Sequence, residues 1–122
     1  MRESPSYIRT KVIDIPSPVA SGAEIDLFND YGLSETIHLF GIVGNVKGPP
    51  SSITSNVSFR DGLSGDDFFK FDVTSGVATG MGSFLFMMEE DSYIRINEGL
   101  VVVATSSNGD DFTQLAFTVV YQ

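Results

Sequence analysis

The sequence predicts an all-β protein, an antiparallel two-sheet sandwich of about eight strands with jelly-roll-like winding. Short runs with β-type alternation follow one another along the chain, and clusters of Gly, Asp, Asn, Ser and Pro separate them. No segment shows the period of an amphipathic helix. Eight or nine short strands are buried more readily in two packed sheets than in one open sheet.

The first two predicted strands are short and bounded by turns. Residues 7–15 form the first, and it ends where Pro16 and Pro18 remove backbone hydrogen-bond donors. Residues 23–28 alternate apolar and acidic side chains, as an edge strand does. A turn-forming Asn-Asp-Tyr-Gly sequence follows at residues 29–32.

The third strand, residues 36–43, is the strongest candidate for a central strand in the first half of the chain. Strict alternation divides its large side chains into two faces: Ile37, Leu39 and Val43 on one, and His38, Phe40 and Ile42 on the other. Both faces therefore carry side chains suited to burial.

Pro49 and Pro50 belong to a Gly-Pro-Pro-Ser-Ser sequence that cannot hold a β-ladder. Residues 45–55 are therefore predicted to form a long exposed loop. Strands at residues 56–60 and 67–73 follow, with an Asp- and Gly-rich turn between them.

Four strands complete the set, at residues 83–88, 93–97, 100–106 and 115–121. The first of them lies in a stretch rich in Met and Phe, which are common both in β-cores and at subunit interfaces, so both interpretations stay open. Connections of mixed length favour Greek-key or jelly-roll wiring over a simple meander.

The length and composition indicate one domain. The chain has 122 residues, of which 42% are hydrophobic, enough for one core. Residues 1–15 are predicted to form an N-terminal arm and first strand, and residues 16–122 the sandwich. The absence of cysteine excludes disulfides and thiolate metal sites. No apolar stretch approaches the roughly 20 residues of a membrane helix, and no signal peptide is evident, so we expect no membrane contact.

The charge is strongly negative and unevenly distributed. A net charge of −9 argues against a nucleic-acid partner, because phosphate binding needs a cationic surface. Residues 1–11 nevertheless hold Arg2, Arg9 and Lys11 against Glu3. Two interpretations stay open: a basic arm that docks on an acidic partner, or three surface cations that fall early in the chain.

The sequence does not predict an enzyme. His38 is the one imidazole, and it lies in a strand among apolar residues, which is typical of a core or half-buried histidine. Glu89, Glu90 and Asp91 are the densest acidic run, and an ordinary solvated turn accounts for them. We assign no catalytic residue and no cofactor.

The Asp-rich turns raise the hypothesis of a calcium site, because hard cations bind oxygen-rich loops. Two turns are candidates: Asp61 with Asp66 and Asp67, and Asn108 with Asp110 and Asp111. Neither has the spacing of an EF-hand loop. Since Asp and Asn also dominate ordinary turns, we predict no metal ligand.

A receptor- or carbohydrate-binding head of a phage spike or fibre is the second functional hypothesis. Sugar sites commonly use exposed aromatic platforms, and the chain lacks Trp. The available rings are those of Tyr7, Tyr31, Tyr93 and Tyr121.

The C-terminal third supports a different hypothesis. Residues 92–105 (SYIRINEGLVVVAT) and 115–121 (LAFTVVY) give a strand, an Asn-Glu-Gly turn, an apolar strand and a final strand that ends in Tyr121. This pattern resembles the closing strands of small virion proteins of tailed bacteriophages, among them capsid decoration (cement) proteins and head-spike modules.

The resemblance implies a jelly-roll sandwich that stabilises the exterior of a phage head by bridging capsid subunits. It implies the major capsid protein as partner, a homotrimer and a virion location, without enzymatic activity. Under this hypothesis the residues expected to bind the partner are Arg2, Tyr7, Arg9, Lys11, Pro49 and Pro50. The four in the arm would add to a neighbouring strand edge, and the two prolines would stiffen a protruding loop.

Overall fold

The structure is a computed structural model, and it describes residues 8–47, 54–74, 81–107 and 109–122. Within these ranges the chain forms strands and one short helix. The elements are β1 (Arg9–Ile15), β2 (Ile25–Asp26), α1 (Leu27–Tyr31), β3 (Ile37–Lys47), β4 (Thr54–Asp61), β5 (Asp67–Thr74), β6 (Met81–Met87), β7 (Ile94–Ile96), β8 (Leu100–Ser106) and β9 (Gln114–Tyr121).

The strands form two antiparallel sheets. The first sheet has the order β1-β9-β3-β6, with β7 also paired to β3, and the second has the order β2-β8-β4-β5. The chain passes repeatedly from one sheet to the other, which is the winding of a double-sheet jelly roll. The predicted all-β sandwich and its jelly-roll-like topology are therefore confirmed.

The core lies between the sheets and is built from the inward side chains of both. Phe59 of the second sheet is fully buried, and its ring lies 5.7 Å from Phe117 and 6.1 Å from Phe84 of the first sheet, measured between ring centroids. Such tilted and edge-to-face contacts add to the burial of apolar area. These three rings join the two sheets at the centre of the sandwich.

The division of β3 into two faces was predicted wrongly, because the strand contains a bulge. The pairing with β9 shifts register between Leu39 and Gly41, so Phe40 is an extra residue. An extra residue reverses the alternation of all side chains that follow it. Ile42 is consequently fully buried, whereas Val43 points outward and is 44% exposed.

The helix α1 was not predicted from the sequence. The Oδ1 atom of Asp26 accepts hydrogen bonds from the amides of Phe28 (3.0 Å) and Asn29 (3.3 Å), which caps the helix N-terminus. Gly32 ends the helix with φ of 73°, a left-handed conformation that glycine adopts without steric cost. Residues 27–31, divided by prediction between a strand and a turn, are therefore helical. None of the described residues forms a helix of the length and apolarity that a bilayer requires.

The connection predicted at residues 45–55 is shorter than expected, since β3 continues to Lys47 and β4 begins at Thr54. Pro49 and Pro50 lie outside the described residues.

We expect Phe59→Ala to lower the free energy of unfolding by about 3–5 kcal/mol, because it leaves a cavity between the two sheets. Urea unfolding followed by circular dichroism measures this change. The control is Leu63→Ala at an exposed turn residue, which should change stability by no more than about 0.5 kcal/mol. Equal effects of the two substitutions would contradict the central position of Phe59.

Candidate interaction surface

The outer side of the first sheet carries most of the exposed apolar side chains. Of the eight large hydrophobic side chains that are exposed among the described residues, six lie on this side. We call them the apolar face: Ile8, Val12, Val43, Leu85, Met87 and Tyr93. Val12 is 74% exposed and Leu85 is 62% exposed. The described strands of the second sheet contribute none of the eight.

Strand pairing places the apolar face in rows across the sheet. Val12 lies opposite Thr118, Thr118 opposite Val43, and Val43 opposite Leu85, so one row crosses all four strands. The side chains of this row also line a cavity of about 510 Å³. Neighbouring side chains on one face of a sheet lie within contact distance of one another. The row is therefore a continuous surface rather than a set of isolated apolar residues.

A second row lies beside the first and depends on a glycine. Thr10 lies opposite Val120, Val120 opposite Gly41, and Gly41 opposite Met87. A Cβ atom at Gly41 would overlap the sulfur of Met87, so the missing side chain leaves room for the Met87 thioether to lie across the strand. This second row carries no charged side chain.

Charged side chains lie at the two ends of the apolar face. Lys47 is exposed at the C-terminal end of β3. At the opposite end, Met88 follows β6 and donates its amide to the carbonyl of Phe40 (2.8 Å), and the acidic turn at residues 89–91 comes next. This turn borders a cavity of about 410 Å³ that Ile8 and Met87 also line. The middle row of the face is thus uncharged, and charges of both signs border it: Asp14 of β1 and Lys47 on one side, and Arg95 of β7 and the acidic turn on the other.

The Met- and Phe-rich stretch divides its side chains between the core and the outer side of the sheet. In β6, Phe84 is buried in the core and Phe86 packs against it. Leu85 and Met87, which alternate with them, point outward and belong to the apolar face.

The structure places two of the predicted partner-binding residues on β1. Arg9 is exposed and lies opposite Tyr121. Lys11 is half-buried, and its ammonium group lies beside Gly32 at the end of α1. The other four, Arg2, Tyr7, Pro49 and Pro50, lie outside the described residues. The strand that carries Leu85 and Met87 had been noted from its composition, whereas Ile8, Val12 and Val43 were missed, because a single exposed Val or Ile in a strand carries no signal of its own.

The His38 ring stacks on Tyr93, with 4.2 Å between ring centroids and 18° between ring planes. Its backbone forms two hydrogen bonds with Gln122 at the chain end, of 3.0 and 2.9 Å. The half-buried position predicted for His38 is confirmed. Tyr93 is exposed, whereas Tyr31 and Tyr121 pack against the core, so these three rings do not form a shared platform.

Two carboxylates of the first candidate calcium turn bind protein groups. Asp61 accepts hydrogen bonds from the backbone amides of Asn97 (3.0 Å) and Glu98 (2.7 Å), which ties β4 to the turn before β8. Asp67 forms an ion pair with Arg60 (2.6 Å). In the second turn Asn108 is outside the described residues. Within the described ranges no three His, Cys, Asp or Glu side chains are grouped as a metal site.

Arg60 joins a second carboxylate to this cluster. Its Nη1 atom lies 3.2 Å from Oε2 of Glu24, and Glu24 also accepts a hydrogen bond from the backbone amide of Ser64. The Ser64 hydrogen bond, with a further contribution from Arg60, lowers the pKa of Glu24 below its ordinary value of 4.5. The cluster thus connects the segment before β2 to the turn between β4 and β5.

Comparison with known proteins shows similarity in fold. No family model matches the chain, and no curated protein matches it significantly. A solved structure of a protein from Bacillus endospore appendages, a family of disulfide-linked pili, is 17% identical, with a TM-score of 0.50 over 100% of this chain and 98% of that one. A protein of the virus-like particle of the extra small virus (XSV) of the prawn Macrobrachium rosenbergii is 12% identical, with a TM-score of 0.47 over 99% and 84% of the two chains. At 17% identity, the likeness to the appendage protein concerns the fold alone.

We expect the contribution of Glu24 to stability to depend on pH. Because its folded-state pKa is lowered, the contribution is fully present above pH 4.5 and is lost as the pH falls through the folded-state pKa. Glu24→Gln should therefore lower the thermal midpoint at neutral pH and have a smaller effect at about pH 3, below the ordinary pKa of the group. Glu90→Gln, at an exposed turn residue, is the control. An equal effect of Glu24→Gln at both pH values would contradict this assignment.

Proposed function

We propose that this chain is a non-enzymatic structural subunit of a larger protein assembly. The observation that supports the proposal is the apolar face, which presents Val12, Val43 and Leu85 in one uncharged row on a protein of net charge −9. Contiguous exposed apolar surface with a charged border is typical of protein-protein contact sites. A rigid sandwich that presents such a surface is suited to assembly.

The finer proposal is a decoration protein on the exterior of a virion, bound to the major capsid protein. Its support is the resemblance of the closing strands to those of small virion proteins, together with the jelly-roll winding. In this role the exposed Arg9 at the start of β1 would contact the acidic surface of the shell. Arg2, Tyr7, Pro49 and Pro50 remain candidates for the same contact.

We expect the chain to sediment with large particles when a culture that produces it is fractionated on a sucrose gradient, because a structural subunit is held in its assembly. Antibodies raised against the purified chain locate it in the fractions, and immunogold electron microscopy locates it on the particles. The decoration hypothesis requires label on the outer surface of capsids.

A cytosolic enzyme of the same culture is the control and should stay at the top of the gradient. If the chain stays there as well, the structural role is contradicted. If it labels filaments or appendages instead of capsids, the structural role stands and the decoration hypothesis is wrong.

A further inference from the structure

We propose that two copies of this chain pair edge to edge through strand β5. The twofold axis of the pair runs perpendicular to the second sheet and passes beside Phe71, so the second sheets of the two copies join into one continuous sheet. The inference goes beyond the structural role proposed above, because it concerns a different part of the molecule from the apolar face. It follows from the edge that β5 leaves open and from the charges on that edge.

Strand β5 is an outermost strand of the second sheet. It pairs with β4 on one side, and no described strand pairs with its other side. An outermost strand presents unpaired backbone N–H and C=O groups, to which a strand of another chain can add. The register with β4 shifts near the start of β5, where Phe68 is an extra residue, so the regular part of the strand begins at Phe69. This regular part is open to a further strand.

The side chains of the open edge differ between the two sides of the sheet. Phe69 and Phe71 point into the sandwich, and the Phe71 ring lies 5.1 Å from that of Phe84, between centroids. Both rings are half-buried, so a strand added at this edge would cover more of their apolar surface. On the outer side Lys70 and Asp72 are exposed, and neither forms an ion pair with another described residue.

Twofold symmetry leaves few registers for a pair of β5 strands. Two copies of one edge strand that extend a sheet about a perpendicular axis are antiparallel, and directly opposed residues face the same side of the sheet. The axis therefore passes beside a residue and not between two residues. With the axis beside Phe71, Lys70 lies opposite the partner's Asp72, and Asp72 lies opposite the partner's Lys70.

Neither neighbouring register pairs opposite charges. An axis beside Lys70 would place the two lysines opposite each other, and an axis beside Asp72 would do the same for the two aspartates. Directly opposed like charges destabilise paired strands, whereas opposed unlike charges stabilise them. With the axis beside Phe71 the four charges form a square, in which the neighbours across the strands and along them have opposite signs. This register is therefore favoured.

The surrounding charges are compatible with this arrangement. The rows of Lys70 and Asp72 continue across β4 and β8 through uncharged residues, which are Ser58, Val103, Asn56 and Thr105. Asp66 and Asp67 lie beyond the other end of the regular part, and Asp67 already binds Arg60 (2.6 Å). The antiparallel partner brings its residues 73–80 towards this end, and they include no charged residue. No carboxylate of one copy is thus set against a carboxylate of the other.

The other outermost strands do not offer such a pairing. In β1, Asp14 faces the outer side of the first sheet, whereas Arg9 and Lys11 face the opposite side, so no twofold register sets them against each other. Strand β6 has no charged residue, and β2 and β7 are two and three residues long. The charge pattern therefore singles out β5.

Lys70 makes the edge selective. A lysine in an edge strand opposes the addition of most other strands, because an apolar residue set opposite it would remove water from the ammonium group without replacing it. A strand that offers a carboxylate at this position is accepted, and β5 itself does so through Asp72. Specific contacts commonly bury about 1,200–2,000 Å², and the pairing of residues 69–73 alone is a smaller contact. We therefore expect a dimer that dissociates on dilution.

The first test is the mass of the intact chain over a wide range of concentrations, measured by sedimentation velocity. The wild type should change reversibly between monomer and dimer. Lys70→Glu and Asp72→Lys should each weaken dimerisation about three- to tenfold, because each creates two like-charged contacts. The double variant restores opposite charges and should recover most of the wild-type affinity. High salt should reduce these differences.

Lys47→Glu and Asp14→Lys are the controls, because they make the same changes of net charge at exposed residues of the first sheet. Both should dimerise like the wild type. Circular dichroism checks that all variants are folded.

The second test examines the register by cross-linking. The chain has no cysteine, so an introduced cysteine is the only thiol of each variant. An equal mixture of Lys70→Cys and Asp72→Cys should form mainly the mixed disulfide, because directly opposed Cβ atoms lie about 4.5–5.5 Å apart and diagonal ones lie farther apart. Mass spectrometry of the linked peptides identifies the pairs. Leu63→Cys, at an exposed turn residue after β4, is the control and should cross-link slowly with either variant.

A wild type that stays monomeric, or that forms open-ended polymers or the trimer implied by the resemblance to decoration proteins, would overturn the proposal. A dimer that tolerates both single charge reversals would overturn it too, as would a double variant no better than the single ones or a mixture without preference for the mixed disulfide. These outcomes are separate from the gradient experiment. A chain that is monomeric in solution yet particle-bound keeps its structural role without this contact, and a dimer that never joins particles keeps the contact without that role.

Discussion

The first sheet depends on the pairing of a single strand. β3 bonds to β9 on one side and to β6 and β7 on the other, so it holds together strands that lie far apart in sequence. At Gly44 a Cβ atom would overlap the backbone of Ala116, so this glycine permits the close approach of β3 and β9. The bulge at Phe40 then decides which side chains of β3 face the core. Both the core and the apolar face follow from the course of this strand.

The two sheets present different surfaces. The second sheet buries almost every residue of β8, including consecutive valines, and its described strands expose no large apolar side chain. The first sheet exposes a row of apolar side chains. Apolar surface of this kind promotes indiscriminate association, and the net charge of −9 opposes it through long-range repulsion. The acidic surface and the apolar face together favour contact in one defined place.

Alternation and turn chemistry predict the sheets well, because they report which side chains meet the core. β8 begins and ends at the predicted residues, and β9 differs by one residue at its start. The bulge was missed because Phe40 has the side chain of an ordinary strand residue, and the register shift depends on its pairing partner. The helix α1 was missed because five residues are too few to show a helical period. The apolar face was missed for a related reason: pairing across four strands, and not any single strand, brings Val12, Val43 and Leu85 into one row.

The position of Met87 across Gly41 also makes the apolar face sensitive to chemical change. The Met87 side chain is 54% exposed, so oxidants in solvent reach its thioether. Oxidation to the sulfoxide turns a flexible apolar group into a polar one. A molecule damaged in this way would keep its folded core and carry a polar group within the apolar face. Preparations that have aged in air would therefore present a more polar first sheet than fresh ones.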